Sequence, residues 1–314
     1  MFVPLLIFVT SLVILVKASE LTIKGCIKFS KLIGISQFAA GFIFVAVATS
    51  LPEFSVAIIS SLAGQGIISV GNVTGANVTD ITLIFGLGAV LVGFALTRYE
   101  KKKILHALAI TSIVAATLLF LGRANFMFGL GCIGTFILFS YAIVKEGYAI
   151  EPFKYRFGWS TTLEILKTLF SIIICVSVVI VAAKFIVSSL ISLAGILGIA
   201  GSLIAAVVLA FGTSLPELSV SLLAFKKGNI SLAIGNCFGT IVTNLTLILG
   251  TAAMFGPIAL DEVTKNCLIV LLFVNIITLF LVIRGKFKWP AGLLLFALYG
   301  IFVAVALITG FITT

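Results

Sequence analysis

The sequence consists mainly of ten long apolar runs separated by short polar segments. The runs cover approximately residues 2–16, 38–62, 67–97, 104–121, 126–144, 165–190, 201–225, 230–256, 266–283 and 290–312. An α-helix needs about 20 mostly apolar residues to cross a bilayer, whereas a membrane barrel uses short strands of alternating polarity. The chain is 61% hydrophobic and only 10% charged, which excludes an ordinary soluble domain. We therefore expect an all-α, polytopic membrane protein with ten transmembrane helices.

The basic residues are distributed unevenly among the loops between these runs. Of the 20 Lys and Arg residues, 17 follow odd-numbered runs, and only Arg123, Lys184 and Lys265 do not. Basic loops stay in the cytoplasm, so the pattern predicts that both termini lie outside. It also accounts for the net charge of +10 without a nucleic-acid partner.

The two halves of the chain repeat each other at an offset of 164 residues. The motif TSLPE occurs at 49–53 and again at 213–217, and the same offset aligns Asp80 with Asn244. We predict a first five-helix repeat at residues 1–143, a cytoplasmic linker at 144–164 and a second five-helix repeat at 165–314. Because five is odd, the second repeat enters the membrane from the opposite side. Inverted repeats are typical of secondary transporters, whose sites lie between the repeats near the midplane.

Three acidic residues, Glu53, Asp80 and Glu217, lie inside apolar runs. No Lys or Arg lies deep in a run to pair with them, and an intramembrane carboxylate costs roughly 2.5–3.5 kcal/mol even on lenient scales. We therefore expect a cation or protons to neutralise them. The other seven acidic residues fall near loops or the ends of runs and are interpreted as solvated charges: Glu20, Glu100, Glu146, Glu151, Glu164, Asp261 and Glu262.

Polar residues surround these carboxylates at helical spacing. One face carries residues at i, i+3, i+4 and i+7, namely Ala46, Thr49, Ser50 and Glu53 in the first repeat and Ala210, Thr213, Ser214 and Glu217 in the second. The following run of each repeat carries residues one turn apart, namely Asn72, Ala76 and Asp80, and Asn236, Thr240 and Asn244. Pro52 and Pro216 lack the N–H that continues a helix, so each predicts a kink that frees backbone carbonyls.

The groups on these faces that could bind a cation are all oxygen ligands, namely carboxylates, amides, hydroxyls and freed carbonyls. Oxygen ligands suit Na⁺ and Ca²⁺, whereas zinc and copper prefer nitrogen or sulfur; no cofactor is expected. Three ionised carboxylates would balance three Na⁺, while one Ca²⁺ would leave one negative charge unless Asp80 carries a proton. Competition of both ions for the same glutamates, combined with alternating access, is sufficient for exchange.

The segments ATSLPE…GNVTGANVTD and GTSLPE…GNCFGTIVTN resemble the two α-repeats of the calcium/cation antiporter superfamily, and most of all its prokaryotic sodium/calcium exchangers. The resemblance implies a core of spans 2, 3, 7 and 8, against which long tilted spans 1 and 6 slide. It implies exchange of Na⁺ for Ca²⁺ by alternating access, commonly three for one, in the cell membrane of a prokaryote.

Carried over by motif position, the resemblance also implies roles for individual residues. Glu53 and Glu217 would be the main Ca²⁺ ligands, and Asp80 and Asn244 would occupy the central polar position. Thr49 and Thr213 would add backbone oxygens as ligands. Flanking Na⁺ sites would be completed by Ser50 and Ser214, together with the carbonyls of Ala46 and Ala210. The sequence departs from the family pattern at two places. Asp80 lies in the first repeat and Asn244 in the second, the reverse of the usual order. Ala76 lies where a small hydroxyl residue is common, whereas Thr240 retains a hydroxyl at the related position.

Several alternatives stay open at this stage. A proton/calcium antiporter, a potassium-dependent exchanger and a passive cation channel all fit a buried carboxylate site. An intramembrane protease fits poorly, because Asp80 is the only aspartate in a run and His106 lies near a loop; we expect no enzyme. The predicted partners are Na⁺, Ca²⁺ and the lipid bilayer, and the oligomeric state is open, with a monomer as the simplest arrangement.

Overall fold

The structure is a computed structural model that describes residues 2–62, 64, 66–148, 159–196 and 214–313. Its α-helices are α1 (Phe2–Ile33), α2 (Gln37–Ala40), α3 (Ala46–Thr49), α4 (Leu51–Leu62), α5 (Ile67–Thr79), α6 (Phe85–Leu91), α7 (Arg98–Leu121), α8 (Phe126–Tyr148), α9 (Trp159–Ile196), α10 (Leu215–Lys226), α11 (Ile230–Val242), α12 (Leu249–Phe255), α13 (Glu262–Arg284) and α14 (Trp289–Thr313). Three π-helical turns join neighbouring helices, namely π1 (Gly41–Val45), π2 (Asp80–Ile84) and π3 (Thr243–Ile248). Four two-residue strands complete the elements, namely β1 (Phe94–Ala95), β2 (Arg123–Ala124), β3 (Ile258–Ala259) and β4 (Lys286–Phe287).

The all-α membrane architecture predicted from the sequence is confirmed. Within the described ranges, eight helices are long and apolar enough to span a membrane, and one bent pair makes a ninth candidate. These nine correspond to the predicted runs except the seventh, at 201–225. Only the end of that run, from Ser214, lies in the described part of the chain, and Ala210 and Thr213 lie outside it.

The first and sixth spans are much longer than the apolar runs that predicted them. Helix α1 has 32 residues and α9 has 38, so at 1.5 Å per residue each exceeds the roughly 30 Å hydrocarbon core and must tilt or project from it. The two helices pack along each other, with Leu15 and Ala18 against Val179 and Ala182.

The secondary structure repeats at the same 164-residue offset as the sequence. The series α5, π2, α6 in the first half recurs as α11, π3, α12 in the second, with bounds that agree within one residue after the shift. The strands form two antiparallel pairs, β1 with β4 and β2 with β3. Each pair therefore joins one strand from each half. The 164-residue shift relates β1 to β3 and β2 to β4, so the two pairs are equivalent under the repeat.

Glycine allows the helix backbones around the centre to touch. A Cβ added at Gly239 would lie 2.3 Å from the carbonyl oxygen of Phe42, and one at Gly235 would lie 2.2 Å from that of Phe38. A Cβ at Gly41 would likewise lie 2.4 Å from the carbonyl oxygen of Leu232. Helix α11 thus meets α2 and π1 backbone to backbone, the close approach that small residues allow in membrane proteins.

Two acidic residues interpreted as solvated loop charges contact distant segments, and the interpretation was wrong for Glu100, which is buried. Glu100 is only 3% exposed, caps α7 with Thr97 and accepts a hydrogen bond from Ser231. Glu20 lies inside α1 rather than in a loop and pairs with Lys227, which follows α10, at 3.4 Å. Both interactions join segments far apart in sequence, which local polarity does not reveal.

Replacing Gly235 by alanine tests the backbone contact between α2 and α11. Because the new methyl would overlap a carbonyl that cannot rotate away, we expect a loss of roughly 1–3 kcal/mol. Thermal unfolding of the purified protein in detergent should shift down by about 2–6 °C. The control is Gly131→Ala on α8, where no heavy atom of the described residues lies within 4 Å of the added Cβ. Equal unfolding temperatures for the two variants would contradict the prediction.

Candidate cation site

The first TSLPE motif bends its helix at a break. The segments Gln37–Thr49 and Leu51–Leu62 meet at 46°, and Ser50 between them has φ −80° and ψ 10°. Pro52 therefore lies in the first turn of α4, where a missing N–H costs no hydrogen bond. This bend agrees with the kink predicted at Pro52. In the second motif, Ser214 has φ −86° and ψ 3° immediately before α10, and the residues that precede it lie outside the described ranges.

This break places both glutamates at the beginning of a helix. Glu53 lies in the first turn of α4, and Glu217 lies in the first turn of α10. Unpaired backbone N–H groups and the positive end of the helix dipole favour a negative charge there.

The predicted site residues that the structure describes are almost all buried. At most 2% of the residue surface is exposed for Ala46, Thr49, Ser50, Glu53, Asp80, Ser214, Glu217, Asn236, Thr240 and Asn244. Asn72 is the exception and is half-buried. The carboxylates therefore face the protein interior rather than lipid.

The two halves of the chain contact each other through these residues. The Ser50 hydroxyl donates to Glu217 Oε1 at 3.4 Å, and Thr49 also contacts the Glu217 carboxylate. Helix α10 packs on π2 and α4 packs on π3, so each glutamate helix lies against the π-helical turn of the other half. Asp80 in π2 is close enough to Glu217 to interact electrostatically.

Several buried oxygens at this contact accept no hydrogen bond from any described residue. They are both carboxylate oxygens of Asp80, Oε2 of Glu217, and the side-chain amide oxygens of Asn236 and Asn244. A buried polar group left unpaired costs about 1–3 kcal/mol, and more if it is charged. Amide and ionised carboxylate oxygens only accept hydrogen bonds, so their missing partner is a cation or a proton donor. Oxygens of this kind fit Na⁺ or Ca²⁺.

The structure does not gather the acidic side chains into one compact cluster. Within the described ranges, no three His, Cys, Asp or Glu side chains are close enough together to hold a metal ion. A cation here would therefore also need hydroxyl, amide or carbonyl oxygens. The Ala46 carbonyl is one such group, although it already accepts the Ser50 N–H at 3.0 Å.

Asn72 and Asn236 differ, although the repeat aligns them. Asn236 Nδ2 donates to the Ser221 hydroxyl at 2.8 Å, and its backbone carbonyl accepts from Thr240 at 3.0 Å. The position equivalent to Ser221 is Ala57, so Asn72 lacks the corresponding acceptor. Its Nδ2 has no partner among the described residues.

Sequence analysis missed one residue at the centre of the site. Asn77 is fully buried, donates to the Ile241 carbonyl at 2.9 Å and accepts from Asn244 at 2.9 Å. The 164-residue offset could have identified it, because it aligns Asn77, a polar residue in an apolar run, with the apolar residue Ile241.

Comparisons with known proteins agree with this architecture. A family model described as sodium/calcium exchanger protein matches residues 3–145 and 167–308. The sodium/calcium exchanger MaX1 of Methanosarcina acetivorans is 27% identical, with 96% of this chain and 98% of that protein covered.

Solved structures of the sodium-calcium exchanger NCX_Mj have the same fold. One, soaked with 10 mM Na⁺ and zero Ca²⁺, superposes with a TM-score of 0.86 at 25% identity and covers 96% of this chain and 98% of that one. Another, soaked with 2.5 mM Na⁺ and 0.1 mM Ca²⁺, has a TM-score of 0.83 at 25% identity over 97% and 98% of the two chains. Since the family model covers nearly the whole chain in two segments, this protein belongs to the sodium/calcium exchanger family, whose members are transporters rather than enzymes.

Proposed function

We propose that this protein exchanges Na⁺ for Ca²⁺ by alternating access at one shared site between its two repeats. The observation that carries the proposal is the group of buried acceptor oxygens on Asp80, Glu217 and Asn244 that the described residues leave unpaired. They lie where the glutamate helix of one half meets the π-helical turn of the other.

Charge balance explains why two different ions would use one site. Three ionised carboxylates at Glu53, Asp80 and Glu217 carry −3, which three Na⁺ neutralise. One Ca²⁺ leaves −1, unless Asp80 binds a proton. Because both ions need the same glutamates, they compete, and binding of one displaces the other.

The remaining site residues would supply neutral oxygens around the glutamates. We assign flanking Na⁺ positions to Ser50 with the Ala46 carbonyl, and to Ser214 with the Ala210 carbonyl. Backbone oxygens of Thr49 and Thr213 would join the Ca²⁺ position, and Asn72 and Asn236 would border it. Thr240 adds a hydroxyl that its buried counterpart Ala76 lacks, so one flanking position has fewer ligands than the other.

Helices α1 and α9 are the elements we expect to move during exchange. They contact each other extensively, and among the described residues α1 makes one buried polar contact with α10, Ser19 with Ser219 at 2.9 Å. One ion pair, Glu20 with Lys227, lies beside it. These polar contacts can be exchanged for others as the helices slide, while side chains of α1 in the main core, such as Ile23 and Phe29, must repack.

The membrane arrangement forms part of the same proposal. The basic loops place both termini outside, in the cell membrane of a prokaryote. The repeats at 1–143 and 165–314 then have opposite orientations, joined by the cytoplasmic linker at 144–164. Such an arrangement relates the two repeats by an approximate two-fold axis in the membrane plane, so the inward-facing and outward-facing states can arise when the repeats exchange conformations.

Glu53→Gln and Glu217→Gln test the proposed ligands. Each removes one negative charge from the site while preserving side-chain size, so we expect Ca²⁺ uptake to fall by at least about ten-fold, the effect of losing a buried contact to a charged ligand. The measurement is ⁴⁵Ca²⁺ uptake into sodium-loaded proteoliposomes. Glu262→Gln is the control, because this glutamate is 68% exposed in an ion pair with Lys265. Intact uptake by either site variant would exclude that glutamate as a necessary ligand.

Comparing ion gradients one at a time identifies the coupling ion. We expect an outward Na⁺ gradient to drive ⁴⁵Ca²⁺ accumulation against its own gradient, because Na⁺ and Ca²⁺ compete for the same oxygens. Outward K⁺ or H⁺ gradients of equal size, without Na⁺, should not do so. Accumulation driven by H⁺ alone would instead support a proton/calcium antiporter, and flux without any counter-ion would support a channel.

A further inference from the structure

Two hydrogen bonds form a short chain across the boundary between the repeats. Asn77 Nδ2 on α5 donates to the backbone carbonyl of Ile241 on α11 at 2.9 Å. Asn244 Nδ2 in π3 donates to Asn77 Oδ1, also at 2.9 Å. Both asparagines have 0% exposed surface, so bulk water does not compete for these bonds.

The direction of this chain is determined by its first member. A backbone carbonyl can only accept a hydrogen bond, so Asn77 must turn its NH₂ group toward Ile241. Its Oδ1 then faces Asn244, and an oxygen can be paired there only by a donor. Asn244 must therefore present Nδ2 to Asn77, which turns its own Oδ1 to the opposite side of the amide.

In this orientation, Asn244 Oδ1 is buried and accepts no hydrogen bond from any residue in the described ranges. It belongs to π3, the turn against which the Glu53 helix α4 packs. From this geometry we propose that Asn77 is a positioning residue, which fixes the Asn244 amide so that its oxygen faces the cation. The inference rests on the proposed function, because it assigns that oxygen to the same site.

A purely structural amide pair would not need this arrangement. In the interior, a structural polar network is stable when all of its members are paired, yet this chain ends in an acceptor that no described residue pairs. Rotating the Asn244 amide by half a turn would present its NH₂ group to a cation and repel it. The bond from Asn77 makes that rotation unfavourable.

The same reasoning accounts for the difference between the repeats. The 164-residue offset places Ile241 at the position of Asn77 and Asp80 at the position of Asn244. A carboxylate has two equivalent oxygens and presents one of them in either orientation, so Asp80 needs no amide to orient it. The offset relates the pair Asn77 and Asn244 to the pair Ile241 and Asp80, so the positioning asparagine occurs where the related partner is an amide, and isoleucine occurs where it is a carboxylate.

The test is Asn77→Leu, which keeps the side-chain size and removes both hydrogen bonds. We expect the KM for Ca²⁺ in sodium-driven uptake, and the Kd of the purified protein for Ca²⁺, to rise by about ten-fold or more, as for a lost contact to a charged ligand. Asn275→Leu is the matched control, because Asn275 is 1% exposed and its Nδ2 donates to Thr111 and Ser112 of α7. It should lower stability without changing the KM or the Kd.

The double variant separates positioning from packing. In an Asn244→Asp background, Asn77→Leu should not raise the Kd, because an aspartate needs no orientation and the variant also removes Asn77 Oδ1, which would face a carboxylate oxygen there. An equal loss of affinity in both backgrounds, or an unchanged KM and Kd with reduced thermal stability in Asn77→Leu, would overturn the proposal. If Asn77→Leu does not fold, Asn77→Ser, which is too short to bridge both partners, takes its place with the same expectations. A wild-type protein that binds Ca²⁺ but does not accumulate it under a Na⁺ gradient would contradict the proposed function instead.

Discussion

The structure depends on the need to stabilise carboxylates in an apolar interior without basic partners. Six ion pairs occur among the described residues, and none of them includes Asp80 or Glu217. Placing Glu217 at the start of a helix and beside the Ser50 hydroxyl offsets part of the cost of burying its charge. That hydroxyl comes from the other half of the chain, so the halves must face each other, and the glycines between α2 and α11 permit the approach.

Much of this organisation could be predicted from periodicity and repetition. The apolar runs predicted the helical membrane fold, and the 164-residue offset predicted that equivalent segments recur. Local polarity was less informative, because Lys17 and Glu20 suggested a loop where α1 continues, and Glu100 is buried by a partner 131 residues away. Pro52 predicted the bend in the first TSLPE helix, because a proline lacks the N–H that continues a helix, but it did not indicate that the break falls at Ser50.

The residues that differ between the repeats make the two halves of the site unequal. In the second repeat, Ser221 holds the Asn236 amide, and Thr240 supplies a hydroxyl next to it. In the first repeat the corresponding positions are Ala57 and Ala76, and the Asp80 carboxylate has no hydrogen-bond partner in the described part of the chain. At the positions that differ, the first repeat therefore provides charge with little fixed geometry, while the second provides neutral oxygens whose orientation is set by neighbouring side chains.

This inequality suggests how one site could accept ions of different charge. A transporter cannot satisfy all of its buried acceptors internally, because a fully paired site would gain nothing from binding an ion. The unpaired oxygens cost stability in the ion-free protein, and any ion that binds the folded state recovers that cost. Ca²⁺ and Na⁺ differ in charge rather than in the type of ligand they prefer, so fixed neutral oxygens can serve both ions. Under the proposed exchange, the carboxylates would determine how many ions of each kind are required before the site is neutral, and uncompensated charge would oppose the movement of the apolar helices α1 and α9 across the ion-free site.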